Sequence, residues 1–427
     1  MLDDRSHTAE AGEFPPFRSS PMTDGAVTRA AAEVRHNLPS PLTSFVGRER
    51  ELTELESLAG TCRLLTLTSP GGCGKTRLAL ELAARIKPTY LDGVCLVSLA
   101  SVADPGLVTS AVADAVGARE ARGEPLSETL ARVIGTRRML LVLDNFEHLV
   151  SAGPAITDLL AACPWLLAVV TSREVLRLQG EQVFPVPSLT LPDSFSAPSF
   201  GADIVSLVSK SEAGRLFVER ARSVQPGFSL DPAAADAIAE ICVRLDGLPL
   251  ALELAAARVR VLSPSAMVER LEYRLPLLIG GARDLPARQQ TLRATIDWSY
   301  DLLGEADRVM FRQLAVFVGG WTLEAAEAVC RPQVDILRVT ESLVDKSLVN
   351  RLDDADGQPR FGMLETIREY ALERLDESGE AACLRERHAR HCLAIAERAE
   401  PELRGEAQVA WLNRLAAEHD NVRAALQ

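Results

Sequence analysis

Apolar and polar positions follow two different rhythms along this chain. In the first half, short and continuously apolar runs at Leu64–Thr68, Val94–Leu99, Met139–Asp144 and Leu166–Thr171 are separated by helically spaced stretches at about 104–118, 126–136 and 153–161. Apolar runs alternating with helices predict a parallel sheet covered on both faces. Ahead of them, Leu52, Leu55 and Leu58 share one face of a helix that ends at Gly60. From Glu212 the period becomes 3.6, with helices predicted at about 211–224, 232–244, 249–260, 264–273, 286–301 and 304–315, then at Thr322–Val329 and Asp335–Lys346. Ser347–Leu352 and Pro359–Leu364, joined by a turn at Asp353–Gly357, read as a hairpin, and helices followed by a hairpin predict a winged helix. Ile367 to Gln427 is helical throughout. Residues 1–37 mix Pro, Ser, Asp and Arg without period and read as a disordered leader with at most a short helix near Val27–Val34.

The first apolar run leads into Ser69-Pro70-Gly71-Gly72-Cys73-Gly74-Lys75-Thr76-Arg77, and a helical pattern follows. Strand, Gly-rich turn and a helix opening on Lys-Thr make a P-loop. Its backbone N–H groups surround a phosphate at a helix N-terminus, Lys75 reaches the β- and γ-oxygens, and Thr76 serves a Mg²⁺ ion. One position departs from the pattern: Ser69 stands where the first glycine is usual, so the first bend must form without a freely positive φ. A second motif ends the run Met139–Asp144, where the carboxylate of Asp144 takes the Walker B task of holding the Mg²⁺ shell. A further strand between the two motifs matches the additional-strand class of P-loop ATPases. Arg173, just past the run Leu166–Thr171, is either a γ-phosphate sensor on the crevice side of that strand or an ordinary strand-ending arginine, and its context decides between them.

Composition narrows the setting. With 427 residues, 47% hydrophobic and 25% charged, the chain is a globular protein of several domains. A formal net charge of −13 argues against a broad nucleic-acid or membrane surface. Only Lys75, Lys87, Lys210 and Lys346 are lysines among 46 basic residues, which makes the P-loop lysine conspicuous. No apolar run approaches the length of a membrane span and no signal-peptide core opens the chain, so a cytoplasmic protein is expected. Eight scattered cysteines do not form a disulfide framework. Cys383, His388, His391 and Cys392 crowd one segment, but the first lies off the face that the other three share, so a polar helix face is preferred to a zinc site. His148, beside Glu147, is read as a helix-start residue.

Taken in order, the P-loop, Asp144, Thr171-Ser172-Arg173 and Gly247-Leu248-Pro249-Leu250-Ala251-Leu252 resemble a STAND-class NTPase, and more narrowly the NB-ARC-like ATPase module of bacterial SARP- and LuxR-type regulators. Phe45-Val46-Gly47-Arg48-Glu49, Leu143–His148, Arg288-Gln289-Gln290-Thr291-Leu292-Arg293 and Met363–Tyr370 extend the resemblance over about residues 38–427. It implies a P-loop domain at 38–187, a linker at 188–209, a helical domain at 210–283, a winged-helix domain at 284–378 and the start of a helical repeat region at 379–427. It also implies Val46, Gly47 and Arg48 near the adenine, Pro249 against the base and Arg173 as a sensor. Two positions depart from the family. Asn145 follows the Walker B Asp where many relatives carry a second acid, so hydrolysis is expected to be slow. Met363-Leu364-Glu365 stands where the family has Met-His-Asp, so Leu364 cannot touch an ADP phosphate.

The expectation is a nucleotide-operated regulatory switch that binds ATP or ADP with Mg²⁺ and hydrolyses slowly, with a protein partner or self-association and no membrane. The alternatives are a DNA-binding regulator acting through the winged helix, against which the acidic balance weighs, and a plain turnover ATPase, against which Asn145 weighs.

Overall fold

The computed structural model describes residues 35–119, 124–192, 204–271, 278, 290–330, 335–352, 359–405 and 407–426. The short helix read near Val27–Val34, the turn at 353–357 and residues 286–289 of a predicted helix lie outside them.

Helix α1 (Glu49–Ala59) precedes the P-loop unit of β1 (Leu64–Thr68) and α2 (Lys75–Ile86). There follow β2 (Gly93–Ser98), α3 (Val108–Val116), α4 (Leu126–Ile134), β3 (Met139–Asp144), α5 (Gly153–Ala162), β4 (Leu166–Ser172) and β5 (Glu181–Pro185). The five strands form one parallel sheet in the order β2-β3-β4-β1-β5. β4 is thus inserted between the strands that carry the P-loop and Asp144, the arrangement of the additional-strand class. Every residue of β1, β3 and β4 is buried. Their side chains alternate between two cores: Leu65, Leu67, Leu140, Val142, Leu167 and Val169 face α1 and α2, while Leu141, Leu143, Ala168 and Val170 face α3, α4 and α5.

β5 was not foreseen. It is an edge strand of mixed burial ending in Pro185, where a residue without an N–H is tolerated. At the other edge, the carbonyl of Arg35 accepts from Val94 N at 3.0 Å, His36 bridges Val94, and the Asn37 amide exchanges hydrogen bonds with both backbone groups of Leu96. Residues 35–37, read as the end of a disordered leader, therefore cover an open edge that would otherwise invite pairing.

Helices α6 (Ile204–Lys210), α7 (Glu212–Val224), α8 (Pro232–Arg244), α9 (Pro249–Ala256) and α10 (Pro264–Arg270) follow. α6 falls inside the stretch read as linker, and its Val208 is fully buried. Ser211 and Asp231 cap α7 and α8, accepting from the backbone of Gly214 and Ala234. Then come α11 (Leu292–Asp301), α12 (Glu305–Leu314), β6 (Trp321–Thr322), α13 (Leu323–Cys330), α14 (Ile336–Asp345), β7 (Asn350–Leu352), β8 (Arg360–Gly362) and α15 (Glu365–Ser378). The small antiparallel sheet has the order β6-β8-β7, adding one short strand to the expected hairpin. The chain continues in α16 (Ala381–Glu402), α17 (Gln408–Ala417) and α18 (His419–Ala425). No helix among the described residues is long and apolar enough to cross a membrane.

Candidate phosphate-binding site

Parallel strands bring Thr68, Asp144 and Ser172 to the same, C-terminal edge of the sheet, where crevices in such sheets lie. The P-loop leaves that edge after Thr68. Its positive φ angles fall on Gly72 (84°) and Gly74 (89°), not on Ser69, so serine at the first position costs the loop nothing. Gly74 caps α2 from the left-handed region and Lys75 begins the helix, so the N–H groups of its first turn face the loop.

Lys75 is 9% exposed, and its Nζ donates to the carbonyls of Ser69 (2.6 Å) and Pro70 (3.0 Å). Burial, aided by the Arg173 guanidinium and opposed by Glu147 and Asp144, pushes its ammonium down to about 8. Asp144 Oδ1 accepts from the hydroxyls of Thr76 (2.7 Å) and Thr171 (2.6 Å). Burial raises the Asp144 carboxyl although both hydroxyls oppose the shift. A hydroxyl and a carboxylate, both hard oxygen donors, thus meet beside the lysine, and this set fits Mg²⁺. Among the described residues no three His, Cys, Asp or Glu side chains converge as a metal site. His388 Nε2 lies 3.3 Å from Asn421 Oδ1, and Cys392 Sγ is 3.8 Å from the same nitrogen.

Arg173 is 6% exposed and joins the sheet edge to the winged-helix region. Its Nε donates to Glu147 Oε1 at 3.2 Å, and its Nη1 donates to the Thr295 carbonyl at 2.6 Å and to Ser299 Oγ, both on α11. Its own carbonyl accepts from Ser347 Oγ at 2.9 Å, just beyond α14, and Arg177 pairs with Asp345 at the end of α14. Gly71 makes this closeness feasible: a Cβ there would collide with the Thr295 methyl and stand 2.9 Å from Arg173 Nη1.

The helical region meets the loop from the other side. Leu250 N donates to the Gly72 carbonyl at 3.1 Å, and Pro249 Cγ lies 3.8 Å from where a Cβ on Gly74 would be. Gly247 has φ 62°, and a Cβ there would meet the Leu189 carbonyl, so the turn before α9 requires glycine. Asp246 accepts from the backbone N and the hydroxyl of Thr366, each at 3.1 Å, and so ties this turn to the first turn of α15.

Val46 packs half-buried against the core, and Gly47 and Arg48 both have positive φ. The Arg48 guanidinium does not point outward: it donates to the carbonyls of Cys73 (2.6 Å) and Pro187 (3.0 Å), stitching the entry segment to the P-loop and to the chain after β5. Cys73 Sγ approaches the same Pro187 carbonyl at 3.2 Å. Arg77 turns away from the loop to the carbonyls of Thr43 and Ser44, both at 2.9 Å. His148 Nε2 lies 2.7 Å from the Val102 carbonyl and its ring meets Trp298 edge-on, so it is a packing residue in a turn. Glu147, Thr295, Ser299 and Asp246 were given no role from sequence, because their partners lie 26 to 126 residues away.

A parallel sheet with β4 inserted between the P-loop and Asp144 strands, with a winged helix folded against the C-terminal edge of that sheet, is a P-loop NTPase-type fold joined to a winged helix. A family model described as a winged helix-turn-helix domain matches residues 303–376. Rv0894 of Mycobacterium tuberculosis, named an uncharacterized protein, is 40% identical over 364 residues, covering 84% of this chain and 88% of that one. The chain belongs to the family of Rv0894. Rv0890c of the same organism, which bears the name of an HTH-type transcriptional regulator, is 45% identical over 342 residues; these cover 79% of this chain but 36% of that one. The chain therefore spans about a third of the length of that relative. Among solved structures, the STAND protein PH0952 of Pyrococcus horikoshii, with a tetratricopeptide repeat sensor, is 16% identical with a TM-score of 0.33, covering 92% of this chain and 50% of that one.

Proposed function

We propose that the chain is a nucleotide-operated regulatory switch that binds ATP and ADP with Mg²⁺, hydrolyses ATP slowly and works in the cytoplasm in signalling or transcriptional control. The observation that carries this reading is Arg173, whose guanidinium stands at the P-loop while bonded to α11. A ligand that competes for that guanidinium changes the link between P-loop and winged helix, and the γ-phosphate is the only group that distinguishes ATP from ADP. In this reading residues 38–187 bind nucleotide, with Lys75 on the β- and γ-oxygens, Thr76 and Asp144 on the Mg²⁺ shell, and Val46, Gly47, Arg48 and Pro249 toward the base. Residues 210–283 and 284–378 are the helical and winged-helix domains that respond, 188–209 connects them to the first, and 379–427 begins a helical repeat that receives a protein partner or another copy.

Calorimetric titration of the wild-type protein with MgADP and with a non-hydrolysable MgATP analogue tests the reading. Lys75→Ala removes a charge-assisted contact of about 1.5–3 kcal/mol, so affinity should fall roughly ten- to hundred-fold. Unchanged affinity removes the central claim.

A DNA-binding function is the second reading, favoured by the winged helix-turn-helix match over 303–376. Against it, α14, the third helix of that unit, has its C-terminal end on the ATPase edge through Asp345 and Ser347, and Lys346 is paired with Asp307 at 3.2 Å. A cationic DNA-facing surface needs such groups free.

A further inference from the structure

Glu147 sits in the turn after β3 and is 2% exposed. Its Oε1 accepts from Arg173 Nε, whereas its buried Oε2 has no hydrogen-bond partner. A buried carboxylate oxygen without a donor is costly and calls for a ligand or water to supply one. The surroundings say which. The Arg173 guanidinium from which Oε1 accepts also stands over Gly71 of the P-loop, 2.9 Å from where a Cβ there would be, which puts the carboxylate beside the phosphate cradle. Asn145, at the position of the absent second acid, has φ 65° and gives its backbone N–H to Thr171 Oγ1 at 3.0 Å. That left-handed residue turns the chain sharply, and the side chain that returns to the crevice at Arg173 belongs to Glu147.

We infer that Glu147 supplies the acid missing at position 145, orienting the water that attacks the γ-phosphate of bound ATP, and that its pairing with Arg173 holds it in reserve in the arrangement seen here. This rests on the nucleotide-binding reading above. In the step, the water oxygen forms a bond to the γ-phosphorus and the bond to the β,γ-bridging oxygen breaks, its electron pair leaving on ADP. One water proton passes to the Glu147 carboxylate and from there to solvent. While Arg173 bonds Glu147 Oε1 and α11, the carboxylate is tied to the inactive link; when Arg173 turns to the γ-phosphate, Glu147 is released to the water. Slow turnover then follows from a paired carboxylate rather than from a missing one.

Glu147→Gln separates this role from that of a mere counter-ion, since the amide oxygen still accepts from Arg173 while the base is lost. Turnover of ATP should fall by about 10² or more, as for loss of a positioned base. Affinity for the non-hydrolysable MgATP analogue should stay within about threefold by calorimetry, and protein re-isolated after incubation with ATP should carry ATP where the wild type carries ADP. Glu147→Asp, which keeps the charge beside Arg173 but shortens its reach, should also lose at least about tenfold in turnover, and it decides the matter if the Gln variant does not fold. Asn145→Gly, which removes the side chain but keeps the left-handed turn, should leave turnover within about threefold. Wild-type turnover in both Glu147 variants, a parallel loss of melting temperature, affinity and turnover, or loss of turnover in Asn145→Gly alone overturns the inference. A wild-type protein that binds no nucleotide overturns the reading beneath it instead, and one that binds but never turns over ATP overturns the inference alone.

Discussion

Asp246 offers the sharpest test of how the winged helix is held. It occupies the left-handed region at φ 55° in the turn before α9 and accepts both the N–H and the hydroxyl of Thr366, a fully buried residue in the first turn of α15. It thus acts as an N-terminal cap supplied from a remote element, the sort of contact whose loss costs about 1 kcal/mol. In Asp246→Ala a buried Thr366 N–H is left unpaired, worth about 1–3 kcal/mol, and alanine is strained at that φ by about 1–2 kcal/mol. These contributions overlap, so the docking of α15 should weaken by about 2–3 kcal/mol, roughly a thirty- to 150-fold loss of hydrogen-exchange protection over 365–378. Asp246→Asn keeps an acceptor and tolerates the turn, so its protection should stay near wild type. The pH response distinguishes charge from hydrogen bonding. Burial raises the Asp246 carboxyl above its ordinary value although the Thr366 and Glu365 amides oppose it. A folded value above the unfolded one means that the stabilising contribution is complete below about pH 4 and is lost as pH rises through the folded value. Wild type should therefore lose α15 protection on going from acid toward neutral pH, and the Asn variant should not. Unaltered protection in Asp246→Ala, or equal losses in the Ala and Asn variants, refutes the cap.

Other expectations follow from the same contacts. In metal-free and nucleotide-free protein, Lys75 held at about 8 should make stability rise by about 3 kcal/mol between pH 8 and 10.5, because the unfolded chain keeps a proton that the folded one releases; denaturant melts of wild type against Lys75→Met isolate the slope. Arg173→Ala leaves Glu147 buried without its cation and should destabilise by about 3–5 kcal/mol in urea melts, while Arg173→Ala with Glu147→Gln should recover most of that loss. Gly71→Ala should push α11 off the loop, raising hydrogen exchange at 292–301 in the absence of nucleotide, and an unchanged profile would mean that this closeness is not tight. Random duplex DNA at physiological salt should bind more weakly than micromolar; sub-micromolar binding with a steep salt slope would promote the DNA-binding reading.

The central sheet was legible because each strand is short, apolar and bounded by breakers, and because a P-loop needs its strand and helix as immediate neighbours. The same logic failed at β5, where Gln182, Val183 and Pro185 carry no alternation that marks an edge strand of mixed burial. It failed at Arg35–Asn37, where backbone pairing to β2 leaves no hydrophobic trace. Helix α6 was hidden by the Pro- and Ser-rich composition that precedes it. At the site, Lys75, Thr76 and Asp144 could be read because their chemistry is local to two motifs. Arg48 was placed near the adenine by resemblance and Arg77 was read with the P-loop run, and their guanidinium groups are engaged with carbonyls of the loop, the entry segment and the chain after β5.

The P-loop is gripped on two sides by elements distant in sequence: Leu250 N–H holds the Gly72 carbonyl, and Thr295 with Arg173 fills the space over Gly71. Both contacts use backbone that a glycine exposes, so the flexibility a P-loop needs to fit a phosphate also admits its partners. Each grip is modest, a neutral hydrogen bond contributing about 0.5–1.5 kcal/mol and a charged one about 1.5–3. Reversing a two-state balance from 1:99 to 99:1 takes about 5.5 kcal/mol. Arg173 alone falls short of that. The Asp246–Thr366 cap, the Arg177–Asp345 pair and the Ser347 bond to the Arg173 carbonyl link the same winged-helix region to the P-loop and helical regions. A change at the phosphate that moved the winged helix would have to break them together, so the switch proposed here is cooperative, and weakening any one of them should lower the threshold for all.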